Sequence, residues 1–84
     1  MNSKLVVYGH EFCADARRMK DLLEGRGINF EWRDIVDGDP AYREELMPLA
    51  RGYLSVPTLV FPDGEVMVEP NPRRVLEKLA RSVT

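Results

Sequence analysis

Lys4-Leu5-Val6-Val7-Tyr8-Gly9-His10-Glu11-Phe12-Cys13-Ala14-Asp15-Ala16-Arg17-Arg18-Met19 changes its hydrophobic period half-way along, and that change decides the fold. Lys4 to Tyr8 is short, β-branched and largely apolar, the pattern of a buried strand. Gly9 to Phe12 reads as a turn. From Cys13 to Glu24 the spacing becomes helical. Ala16, Met19, Leu22 and Leu23 share one side, and Arg17, Arg18, Lys20 and Asp21 take the others. Gly25 and Gly27 supply the stop signal.

The chain beyond that helix alternates again. Ile28, Phe30, Trp32 and Asp34 share one parity within Ile28 to Val36, so this stretch reads as a half-buried strand. Asp39-Pro40 opens a second helix, Asp39 as N-cap and Pro40 in the first turn. That helix is expected from Ala41 to Ala50, with Leu46, Leu49 and Ala50 on its apolar side and a break threatened at Pro48. Thr58 to Phe61 and Val66 to Val68 read as two strands joined by the tight turn Pro62-Asp63-Gly64-Glu65. Asn71 caps a last helix with Pro72 at its first position, and Val75, Leu76, Leu79 and Ala80 recur along it.

The order is therefore βαβαββα. Two strands flanking a helix run parallel through a right-handed crossover, and the last two form an antiparallel hairpin. The expected class is α/β: a four-stranded mixed sheet flanked by three helices, the minimal thioredoxin-fold architecture.

Composition bounds the function. The 84 residues amount to one domain, residues 1–84. A domain of this size buries only about 60% of its unfolded surface, so its site is shallow and suits a thiol, a disulfide or another protein. With 12 basic and 14 acidic residues, the net charge of −2 offers no general pull toward nucleic acid or an anionic membrane. The opening Met-Asn-Ser-Lys leads straight into a strand. It is too short for a signal peptide's apolar region, and no apolar run approaches membrane length, so the chain reads as cytoplasmic. A monomer is the expected state.

A single cysteine, Cys13, excludes an internal disulfide and a zinc site built on several thiolates, and no metal site is expected. Cys13 stands at a helix start, where unpaired N–H groups and the positive end of the dipole stabilise a thiolate. Arg17 and Arg18 add positive potential, and Asp15 opposes it. Cys13 therefore reads as a nucleophile rather than an inert thiol. His10 reads as a solvated loop histidine rather than a base. Trp32 reads as core, Tyr53 as groove lining or loop packing, and Arg51 as a solvated cation. From the residues alone, Pro57 is an ordinary trans proline opening an edge strand.

Taken together, these stretches resemble the glutaredoxin branch of the thioredoxin superfamily, particularly short bacterial glutaredoxins and mycoredoxins. Lys4 to Tyr8 looks like their first strand. Phe12-Cys13-Ala14-Asp15-Ala16-Arg17-Arg18-Met19-Lys20 resembles their aromatic-Cys-x-x-Cys-x-x-x-Lys segment. Ser55-Val56-Pro57-Thr58 is similar to their Val-Pro-Thr segment, Phe61 to Gly64 to the hairpin that follows, and Glu69 to Leu79 to the final helix. The resemblance implies that Cys13 is the attacking thiol and that Pro57 is cis and packed against it. Val56 would offer its backbone N–H and C=O to an extended substrate, with Phe12, Arg17 and Tyr53 around it.

The chain departs from the pattern at Ala16, where the second cysteine of the motif falls. A dithiol cycle is thereby removed. The implied function is a monothiol cycle, in which Cys13 attacks a disulfide or mixed disulfide of a protein or small molecule. An external thiol, glutathione or another low-molecular-weight thiol, resolves the product, and no cofactor is held permanently. The Cys-Gly-Phe-Ser of monothiol relatives is absent, as are the glycine pair and aspartate that hold glutathione's amino end; Glu69-Pro70-Asn71-Pro72 stands there instead. The alternative is a non-enzymatic binding module or iron–sulfur scaffold on the same fold. Arsenate-reductase-like chemistry is disfavoured because no arginine marks an anion site.

Overall fold

The computed structural model describes residues 4–82. Residues 1–3, the lead-in on which the signal-peptide argument partly rests, lie outside the described residues. The elements follow in the expected order: β1 (Leu5–Gly9), α1 (Ala14–Gly25), β2 (Phe30–Asp34), α2 (Ala41–Leu49), β3 (Thr58–Val60), β4 (Val66–Val68) and α3 (Pro72–Ser82).

The sheet order is β2-β1-β3-β4. β1 pairs parallel with β2 and antiparallel with β3, and β3 pairs antiparallel with β4. This is the thioredoxin-like arrangement that the sequence predicts. β1 is central and buried along its whole length, which accounts for its unbroken apolar run. β2 is shorter than its alternation suggests. Only the residues opposite Leu5 to Gly9 find a partner, so Ile28 and Val36 fall outside it.

Two cores fill the two faces. On one, Leu5, Val7, Leu59 and Met67 meet Met19 and Leu23 of α1 and Val75 of α3. On the other, Val6 and Tyr8 meet Leu46 of α2, with Ile35 and Ala50 closing the cluster. Gly9 is required by packing. A Cβ built there would fall inside the Trp32 indole, so the end of β1 and the middle of β2 fit only without a side chain.

The caps explain the helix ends. Asp39 Oδ1 accepts the Ala41 N–H at 2.9 Å, and Asn71 Oδ1 accepts the Arg73 N–H at 2.9 Å, each the interaction of an N-cap side chain. Pro48 lies in the last turn of α2 and the helix runs one residue past it, so the threatened break becomes the helix end. Gly27, at φ +68°, turns the chain out of α1. Among the described residues, no helix is long and apolar enough to cross a membrane.

Candidate redox site

Cys13 lies where β1 hands the chain to α1. Its N–H donates to the His10 carbonyl at 3.0 Å, and its carbonyl accepts the first helical bond, from the Arg17 N–H at 2.9 Å. Cys13 is thus the N-cap, extended at φ −90° and ψ 115°, rather than the first residue inside the helix as the sequence suggested. Reading spacing alone places it one residue too far in, because the cap carbonyl already joins the ladder while the cap backbone is still extended. The N–H groups of Ala14, Asp15 and Ala16 precede the ladder and give this end its positive potential. Ala16 itself is fully buried.

The half-buried thiol makes no capping bond. It approaches the Val56 carbonyl instead, at 3.9 Å. The Val56–Pro57 peptide is cis, as the resemblance implied. Pro57 is buried, and its carbonyl accepts the Glu69 N–H at 2.8 Å. The buried Thr58 hydroxyl donates to the Ser55 carbonyl at 2.7 Å. These bonds fix the loop on both sides of Val56, whose own N–H makes no hydrogen bond among the described residues.

Three of the six predicted site residues, Cys13, Val56 and Pro57, therefore meet. Phe12 projects into solvent, 86% exposed, with its ring edge-on to His10 at 5.3 Å. Arg17 is exposed on α1. Tyr53 is 71% exposed and lines a separate cleft with Arg51 and Arg74. A second cleft, of about 350 Å³, lies beside Pro57 between Asp15, Arg18 and the Glu69–Pro72 turn. Asp15 and Arg18 pair at 3.6 Å at its edge, which blunts the charge each brings toward the thiol.

His10 departs from its expected solvated place. Its side chain is 21% exposed, and its Nδ1 is buried without a hydrogen-bond partner, 3.8 Å from Asp34 Oδ1. That Asp34 oxygen already accepts the Val36 and Asp37 N–H groups, both at 2.8 Å. Burial opposes the Asp34 charge, but those donors and His10 outweigh it and hold its carboxyl below the usual aspartate range. Ligand atoms of His10, Asp34 and Asp37 lie within 4.8 Å of one another, a grouping that no spacing in the sequence suggested.

A family description, Glutaredoxin, matches residues 5–67, which include Cys13 and the Val56–Pro57 loop. The chain belongs to the glutaredoxin family.

Solved structures place this glutaredoxin among thioredoxin-like proteins. A threonine-to-alanine variant of the thioredoxin-like protein BC3987 superposes with a TM-score of 0.77 at 29% identity, covering 90% of this chain and 99% of its own. The unsubstituted BC3987 gives 0.76 at 28% identity, covering 88% and 97%. The glutaredoxin grx-1 of Archaeoglobus fulgidus gives 0.75 at 23% identity, covering 89% and 84%, a likeness of fold. The search of the curated proteins found no significant match.

One polar device in this glutaredoxin was invisible to sequence reading. Arg33 donates to the Tyr8 hydroxyl at 3.0 Å and to Glu45 at 2.8 Å, while Tyr8 donates to the same Glu45 oxygen at 2.9 Å. Burial first, and then Glu45, raise the Tyr8 pKa above its usual value. The triad ties β1, β2 and α2 together on the second core face.

Proposed function

We propose that the chain is a monothiol thiol–disulfide oxidoreductase acting through Cys13. The observation that supports this reading is the approach of the Cys13 sulfur to the Val56 carbonyl at the start of α1, beside a Val56 N–H that has no partner among the described residues. In the first step the Cys13 thiolate attacks one sulfur of a mixed disulfide. A Cys13–S bond forms, the original S–S bond breaks, and the substrate leaves as a thiolate that takes up a proton. In the second, an external thiolate attacks the adduct, forming a new disulfide and returning Cys13 as thiolate. The disulfide of the substrate is reduced, and the external thiols are oxidised in its place.

Ala16 supplies no resolving sulfur, so the second thiol comes from outside, as glutathione or another low-molecular-weight thiol. The substrate backbone pairs with Val56 as an extended strand would. The protein works as a monomer in a reducing cytoplasm, and holds no permanent cofactor. Turnover of a mixed disulfide between glutathione and a small thiol tests the reading. Activity above the uncatalysed rate, lost in Cys13→Ser, is the expected result, and turnover unchanged by that substitution overturns it.

A further inference from the structure

β4 forms one edge of the sheet, and the register shows which of its backbone groups are free. The Phe61 N–H donates to the Glu65 carbonyl, and the Glu69 N–H donates to the Pro57 carbonyl. Bonded pairs alternate along an antiparallel ladder, so Met67 bonds to β3 while the N–H and C=O groups of Val66 and Val68 point outward. None of those outward groups has a partner among the described residues. The side chains of Val66 and Val68 share the face of Val60 and Thr58, their cross-strand partners. α2 covers this face only as far as the second core.

The uncovered part is a cleft of about 440 Å³, lined by Val66 and Val68, by Arg51, Tyr53 and Ser55 of the loop after α2, and by Arg74 of α3. The side chains of Arg51 and Tyr53 have no partner among the described residues, and Arg74 reaches Glu65 only at 3.8 Å. Arg51 is held at φ +58°, next to Gly52 at φ +88°, so the loop presents it from a left-handed turn. Two guanidinium groups thus share a cleft with a free strand edge. A second copy of the chain pairing β4 to β4 would bring these arginines to a common interface, where like charges repel.

We propose that this cleft binds an extended acidic segment of a partner protein, which adds a strand to β4 and places carboxylates on Arg51 and Arg74. The backbone of the segment would pair with Val66 and Val68, and alternate side chains would enter the cleft. Arginine's planar fork suits carboxylates in this position. The surface is separate from the Cys13–Val56 site, so the two readings stand or fall independently.

The test is an NMR titration of the whole reduced chain with a capped peptide of alternating valine and glutamate, against the same peptide with lysine for glutamate. The expected result is perturbation of the Val66 and Val68 amides, with the acidic peptide bound about tenfold or more tightly than the basic one. The double variant Arg51→Glu with Arg74→Glu should invert that preference. Val68→Pro removes one outward N–H and no bond to β3, and should weaken binding while leaving the β3 amides in place. Equal binding of the two peptides overturns the proposal. So does perturbation confined to the Cys13 face, or concentration-dependent shifts of the same amides without peptide, which would indicate a second copy as the occupant.

Discussion

The Cys13 thiol donates toward the Val56 carbonyl across 3.9 Å, joining two segments 43 residues apart in the chain. Cys13→Ser replaces it with a smaller donor of the same sense at a half-buried cap. Its stability should stay within about 0.5 kcal/mol of the parent. Mixed-disulfide turnover should fall to background, because a serine hydroxyl does not exchange with a disulfide. Urea unfolding and a coupled turnover assay on the same preparation measure both.

Ala16 is fully buried one turn beyond Cys13, on the same side of α1. Ala16→Cys should close an intramolecular bridge to Cys13 on mild oxidation. Free-thiol counting is expected to give two thiols reduced and none oxidised, reversibly. Two free thiols after oxidation would mean that the N-cap carries Cys13 away from position 16.

Gly9 faces the Trp32 ring with no room for a methyl group. Gly9→Ala should cost about 1–3 kcal/mol through overpacking, read as a lower urea midpoint at an unchanged slope. Pairing it with Trp32→Leu, which empties the same space, should recover part of the loss, since residues in contact couple.

Asp34 sets a pH dependence whose sign is fixed. Its folded pKa is lowered from 3.8, because the Asp37 and Val36 N–H groups and His10 outweigh the opposing effect of burial. Its contribution is therefore complete above the unfolded value and is lost as pH falls through the lower folded one. Asp34→Ala should cost about 1 kcal/mol at neutral pH. The gap between parent and variant should narrow below the ordinary aspartate range. Urea unfolding at neutral pH and at strongly acid pH checks this.

Local rules made much of this molecule legible. Lys4 to Tyr8, the Asp39-Pro40 and Asn71-Pro72 caps and the Asp63-Gly64 turn each act within a few residues, and each was found near its expected place. The helix-start position of Cys13 came from the same reasoning. What stayed hidden depends on register. Which β2 residues find partners is decided by the length of β1, and Tyr8, Arg33 and Glu45 converge only once β1, β2 and α2 are in place. His10 carries no periodic signal at all. Its burial beside Asp34 follows from the path of the turn above the end of β2.

The central place of β1 also bears on how the protein is made. β1 leaves the ribosome before both of its partner strands and can join β2 as soon as Asp34 is available. Its other edge stays open until Thr58–Val60 has been synthesised. During that interval an apolar strand, later buried on both faces, has one unpaired side. The nascent chain is then most exposed to wrong association, and a nascent-chain holdase would gain most by binding before β3 emerges.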